Sequence, residues 1–157
     1  MRQLMDIAED ARRVKHAVAA LGTNDKNRGL LAIADALLTH ADEIIAANRI
    51  DIENGRANGL NDGLIDRLTL DEKRIAGIAE GCRQVAALPD PIGEVLWMRK
   101  TPNGLNIGQK RVPMGVIGII YEARPNVTVD AAALCFKAGS ACILRGGKEA
   151  FHSSMCL

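Results

Sequence analysis

Apolar residues recur with a helical period through the first half of the chain. Leu4, Ile7, Ala8, Ala11, Val14, Val18 and Leu21 fall three and four apart, which predicts an amphipathic helix over 1–21, stopped by Gly22. Thr23 or Asn24 is the expected cap of a second helix running to about Ala47. Its inward face would carry Leu30, Leu31, Ile33, Ala34, Leu37, Leu38, Ile44 and Ile45. A further helix with a bend is expected over 48–57, closed by Asn58-Gly59. Asn61-Asp62 opens a short helix through Leu68. Thr69 and Glu72 have the spacing of a capping box, ahead of a face made by Ile75, Ile78, Ala79, Cys82, Val85 and Ala86. Leu88-Pro89-Asp90-Pro91 ends that helix, since proline cannot continue it. Helices dominate before this proline pair, strands after it.

Residues 94–100 and 105–112 read as two strands joined through Thr101-Pro102-Asn103-Gly104, with Asn-Gly as the hairpin signal. Arg99, Lys100, Lys110 and Arg111 make the hairpin basic, as a solvated hairpin would be. Val116 to Ile120 is a short, mostly β-branched run, expected as a strand buried on both faces. Residues 126–137 return to the helical period, with Val127, Ala131, Leu134 and Cys135 on one face. Gly139 suits a left-handed cap after it, and Ala141 to Leu144 forms a second buried strand. Strand, helix, strand predicts a parallel pair with a right-handed crossover.

The turns of this unit carry the candidate chemistry. In open α/β sheets, ligands bind beyond the carboxyl ends of the strands. One end bears Tyr121, Glu122, Ala123, Arg124, Pro125 and Asn126, and the other Arg145, Gly146, Gly147 and Lys148. Two cations and two glycines beside a helix start suit a phosphate group. A solvated surface loop accounts for them equally well. The P-loop pattern fails at Cys142 and Glu149, and no G-x-G-x-x-G is present.

Composition narrows the classes. A chain of 157 residues with 48% hydrophobic residues fits one domain, and 3% aromatics leave its core to Ala, Ile, Leu and Val. A net charge of +1 offers nothing to nucleic acid or a membrane surface. No apolar run approaches the ~20 residues of a membrane span, and no secretory apolar segment opens the chain, so a cytoplasmic protein is expected. The four cysteines (Cys82, Cys135, Cys142, Cys156) form no C-x-x-C pair, so no metal site or disulfide framework is expected. Cys135 and Cys142 read as small buried hydrophobes, and His16 and His40 as surface residues.

VPMGVIGIIYEARPNVTVDAAALC followed by ILRGGKEA, with Arg56-Ala57-Asn58-Gly59-Leu60 upstream, resembles the gamma-glutamyl phosphate reductase family. These enzymes, also called glutamate-5-semialdehyde dehydrogenases, belong to the aldehyde dehydrogenase superfamily. The resemblance implies an α/β fold: N-terminal helices, a β-hairpin, then the incomplete start of a Rossmann-like parallel sheet. It implies a helical part of the cofactor domain over 1–88 and a hairpin over 92–113 that pairs subunits in a homo-oligomer. The start of the NADP-binding sheet would span 114–157. It further implies NADPH-dependent reduction of L-glutamyl 5-phosphate to L-glutamate 5-semialdehyde, a step of proline biosynthesis.

On the same footing, Tyr121, Glu122, Arg145, Gly146, Gly147 and Lys148 would hold NADP(H), and Arg124 would meet the substrate. Arg145 occupies the position of a ribose-contacting lysine, and with Lys148 would favour a 2′-phosphate. The superfamily's oxyanion-stabilising asparagine falls at Ala123 here, and Asn126 three positions later is the candidate donor. A helix N-cap is the other reading of Asn126. Family members are far longer, and their nucleophilic cysteine lies beyond this stretch, so the chain alone is expected to be inactive. A non-catalytic nucleotide-binding or assembly module and a truncated product are the alternatives.

Overall fold

A computed structural model describes residues 3–157. Five helices come first: α1 (Leu4–Ala19), α2 (Thr23–Thr39), α3 (Ala41–Ala57), α4 (Asp62–Leu68) and α5 (Glu72–Ala87). A hairpin of β1 (Val95–Lys100) and β2 (Asn106–Lys110) follows, then β3 (Val116–Ile120), α6 (Asn126–Lys137), β4 (Ala141–Arg145) and α7 (Phe151–Cys156). The helix expected from position 1 begins at Leu4, and its first two positions lie outside the described residues. Among the described residues no helix is long and apolar enough to cross a membrane.

The core forms where α2, α5 and α6 meet. Leu30, Ala34 and Leu37 pack against Ile75, Ile78, Ala79 and Cys82, and Val129 and Ala133 close the cluster. On α2 and α5 these are the stripes that the helical period marks, narrowed, since Leu31, Ile33 and Leu38 of the expected inward face are exposed. On α6 the core takes Val129 and Ala133 in place of the expected Val127, Ala131 and Leu134, and Leu134 is exposed. The stripe of α1 is mostly uncovered. Only Ala11 is buried, while Leu4 is 72% exposed, because α1 lies over the parallel strands with its C-terminal half.

Three helix boundaries differ from the sequence reading. The long second helix breaks at His40, whose backbone turns to φ −103° and ψ 21°, and no bend interrupts position 48. Thr39 Oγ1 donates back to the Asp35 carbonyl at 2.9 Å, and His40 Nδ1 meets Glu43 Oε1 at 3.0 Å. Leu37 and Ile44 reach one core across the break, so the apolar period runs through it unmarked. At the start of α2, neither Thr23 nor Asn24 caps; Thr23 Oγ1 donates to Asp90 Oδ2 at 3.0 Å. The cap of α5 is Asp71, which accepts from the Arg74 amide at 2.7 Å, whereas Thr69 closes α4 by donating to Ile65 O at 2.7 Å.

β1 and β2 pair antiparallel with an irregularity between Val95 and Trp97, and every residue of both is exposed. The loop between them turns on Gly104, whose φ of +88° is a conformation that glycine adopts without strain. β3 and β4 pair parallel, from Val116 beside Ala141 to Ile120 beside Arg145. β3 is not buried on both faces. Its residues alternate half-buried and exposed, and Ile120 is 85% exposed, because α1 and α6 lie mainly over β4 and leave β3 as an edge.

A buried ion pair joins the helical half to the strands. Lys26 Nζ, 1% exposed, meets Asp90 Oδ2 at 2.9 Å. Asp90 Oδ1 also accepts from the Ile92 amide at 3.0 Å. Lys137, buried beside them, donates from Nζ to Asn27 Oδ1 at 2.6 Å and to Ala86 O at 2.9 Å. Burial alone would push the Asp90 carboxyl up; its bonds to the Ile92 amide, Lys26 and Thr23 outweigh that and hold it below the ordinary 3.8. A depressed folded-state value means stability that is full above 3.8 and lost as pH falls through the folded value. Asp90→Asn, which leaves Lys26 buried without its anion, should therefore cost roughly 2–3 kcal/mol at neutral pH. Urea titrations across acid pH should also show a flatter acid slope; an unchanged slope would remove Asp90 from this role.

Candidate functional site

The parallel register sets the two candidate turns side by side. Ile120 lies beside Arg145, and the Tyr121 amide extends the ladder to Arg145 O at 3.0 Å. The Tyr121 ring then lies over Gly146: a Cβ there would come within 3.1 Å of ring Cε2 and the phenol oxygen. That phenol oxygen is hydrogen-bonded to Thr128 Oγ1 of α6 at 2.7 Å, so the ring is held from both sides. A Cβ at Gly147 would sit 2.8 Å from Glu149 Oε2 and 3.2 Å from the Ala123 amide nitrogen. A Cβ at either glycine would crowd the facing turn, and neither glycine has a positive φ. Arg145 and Lys148 stand exposed on this platform, and neither side chain has a hydrogen bond or ion pair among the described residues.

The remaining turn residues open elsewhere. Arg124 and Asn126 line a cleft of about 410 Å³ together with Arg67 of α4 and Arg74 of α5. Pro125 takes the position before the helix in a helical conformation, and Asn126 is the first residue of α6. Its Nδ2 donates to Asp130 Oδ2 at 3.0 Å, so the side chain caps no backbone amide and that reading of Asn126 is overturned. The chain simply enters α6 already helical at Pro125.

Lys148 lies on the rim of a different cleft, about 510 Å³, shared with Glu149, His152, Asn54 and Asn58. Its floor is Asp51, 2% exposed. Asp51 Oδ1 accepts from His152 N at 3.1 Å and meets His152 Nδ1 at 2.8 Å; Oδ2 accepts from the Ser153 amide and hydroxyl, both at 2.7 Å. Asn48 beside it donates to Leu68 O at 2.8 Å and Ser153 Oγ at 2.9 Å, and accepts from the Leu70 amide at 2.8 Å. Sequence reasoning missed this network. The signal was available: Asn48, Asp51 and Gly55 continue the stripe of Ile44 at spacings of four and three, so two polar residues occupy inward positions.

Three of the four thiols are disfavoured as thiolates. Burial pushes the thiols of Cys82, Cys135 and Cys142 up, and the Asp130 carboxylate raises Cys82 further. A nucleophile needs the opposite shift. Cys156 is exposed, near the end of α7. Among the described residues no cluster of three His, Cys, Asp or Glu side chains could hold a metal ion.

No family model matches the chain. Over all of its length it is 56% identical to the gamma-glutamyl phosphate reductase of Carboxydothermus hydrogenoformans and 53% identical to that of Lachnospira eligens. The chain is homologous to gamma-glutamyl phosphate reductases. It spans 38% of the length of both of these relatives. The crystal structure of gamma-glutamyl phosphate reductase from Thermotoga maritima superposes with a TM-score of 0.96 at 41% identity, covering 99% of this chain and 37% of that one. The Saccharomyces cerevisiae reductase gives 0.88 at 35% identity, covering 98% and 39%. A probable aldehyde dehydrogenase from Listeria monocytogenes matches at 0.67 with 15% identity over 96% of this chain and 30% of its own, a likeness of fold alone.

The Tyr121–Gly146 contact makes a stability prediction for this reductase homologue. Gly146→Ala should cost about 1–2 kcal/mol by overpacking. In a Tyr121→Ala background the same change should cost much less. Urea denaturation of the four proteins reads the coupling, and equal costs in both backgrounds would remove Tyr121 as the reason for Gly146.

Proposed function

We propose that the chain forms the N-terminal, cofactor-binding part of an NADPH-dependent reductase that converts L-glutamyl 5-phosphate to L-glutamate 5-semialdehyde in proline biosynthesis. The observation that carries this reading is whole-length similarity to gamma-glutamyl phosphate reductases, joined to two cation-bearing turns set against each other at the strand ends. Residues 3–88 would be the helical part of the cofactor domain and 114–157 the start of its nucleotide-binding sheet. The hairpin over 92–113, whose two strands are exposed throughout, would serve subunit pairing in a homo-oligomer. A cytoplasmic enzyme is the setting this chemistry fits.

The residues present fit a dinucleotide phosphate. Gly146 and Gly147 let the backbone of one turn approach the other, and Arg145 and Lys148 are cations without protein partners among the described residues. Tyr121, Glu122, Arg145, Gly146, Gly147 and Lys148 would hold NADP(H), which when bound supplies hydride for reduction of the acyl group. The Arg145 guanidinium presents a planar fork that matches a 2′-phosphate in bidentate fashion. Asn126 Nδ2 carries two protons; Asp130 takes one, and the other remains for an oxyanion developing at the acyl carbon. The thiolate that displaces phosphate would come from outside residues 1–157, since burial disfavours ionisation of three of the four thiols here.

In a full-length reductase carrying this segment, Arg145→Glu should weaken NADPH binding by about tenfold or more and NADH binding far less. Isothermal titration with each cofactor checks this, and equal losses would sink the 2′-phosphate role. Asn126→Ala in the same protein should lower turnover by a factor of about 10² to 10³ while cofactor affinity holds. Steady-state kinetics decides: unchanged turnover would leave Asn126 as no more than the partner of Asp130.

A further inference from the structure

The 410 Å³ cleft between α4, α5 and the start of α6 holds charges of both signs in an uneven state of pairing. Arg74 is paired within the protein. It donates to the Asp66 carbonyl, to the Thr69 carbonyl at 2.8 Å and to Asp66 Oδ1 at 2.6 Å. That clamp neutralises Asp66 and stiffens one wall. The side chains of Arg67 and Arg124 line the same cleft with no hydrogen bond or ion pair among the described residues. Asp130 lines the cleft too: its Oδ2 accepts from Asn126 Nδ2 at 3.0 Å, and its Oδ1 faces Gly81 on the neighbouring cleft beside Cys82. The cleft therefore presents two cationic side chains without a protein partner among the described residues and one carboxylate bonded by a single neutral amide.

A phosphate or a simple dicarboxylate has no use for Asp130, whose charge would repel it. An α-amino acid head group needs both signs, a cation for its carboxylate and an anion for its ammonium. We propose that this cleft binds the α-amino acid head group of the substrate, with Arg67 and Arg124 on the α-carboxylate and Asp130 on the α-ammonium. The assignment rests on the reductase reading above. It adds α4 and Asp130 to the substrate site, and it puts the head group in the cleft that Asn126 also lines.

The test uses a full-length reductase carrying this segment, assayed as phosphate-dependent reduction of NADP by an aldehyde. Three aldehydes are compared: L-glutamate 5-semialdehyde, 5-oxopentanoate (which lacks only the amino group) and pentanal (which lacks both charges). Asp130→Asn should reduce the preference in kcat/KM for the semialdehyde over 5-oxopentanoate by about tenfold or more. Arg67→Gln and Arg124→Gln should reduce the preference for 5-oxopentanoate over pentanal to a similar extent. Arg67→Lys, which keeps the charge, should retain part of it. Each preference is a ratio within one variant, so a lowered folded fraction cancels. Oxidation of the semialdehyde with preferences unchanged in every variant overturns the head-group assignment alone. No oxidation by the unsubstituted protein overturns the reductase reading and the assignment with it.

Discussion

A carboxylate buried to 2% is the constraint on which the candidate cofactor turn depends. Taking Asp51 out of water is tolerable only because four donor atoms of His152 and Ser153 converge on its two oxygens. Two of those donors are the backbone amides that open α7, which would otherwise have no partner within the helix. Satisfying the carboxylate and satisfying the helix start are thus one requirement, and it can be met only with α7 seated on α3. The turn before α7 inherits that position. It leaves β4 through the parallel ladder at Arg145 and arrives three residues later at Lys148, on the rim of the cleft that Asp51 floors.

The other end of the molecule solves the same problem with a cation. Lys26 is buried beside Asp90, and Lys137 beside both, so the corner at Asp90 is fixed by side chains from α2 and α6. Burial lowers Lys137, and the nearby Asp90 carboxylate opposes that shift. Between these two polar anchors the apolar core of α2, α5 and α6 carries no charge at all. Specificity of arrangement resides in the anchors, and bulk burial in the core.

The elements themselves were legible because their causes are local. Periodicity located α1, α5 and the stripe that α2 and α3 share without its break, Asn103-Gly104 located the hairpin, and Gly139 the cap of α6, which takes φ +65° as expected. The parallel pair and the juxtaposition of its two turns also followed from strand, helix, strand. What escaped was set by partners distant in sequence. His40 breaks a helix that the apolar period treats as continuous, and Thr23 prefers Asp90 to capping. β3 reads as fully buried because its composition suits burial, yet only one side of it has neighbours here. Of the candidate site, the strand ends were readable as chemistry, whereas Arg67 and Asp130 were not, since nothing in their own segments marks them; Asp51 was marked only by its place on the inward stripe of α3.

The same Asp51 contacts bear on the order in which the chain can become structured. Ser153 lies 102 positions from Asp51, whereas Asn48 reaches Leu70 across 22. Closing the longer loop carries the larger entropy, roughly 0.6 kcal/mol more for each doubling of length. Short-range pairings are won first and long-range ones must wait for them. α3 must already stand when α7 arrives, because Asp51 offers no foothold until its helix is formed. The turn that carries Arg145 and Lys148 can gain its fixed place beside α3 only once that long closure is made, and its order registers whether helices far upstream in the sequence have assembled correctly.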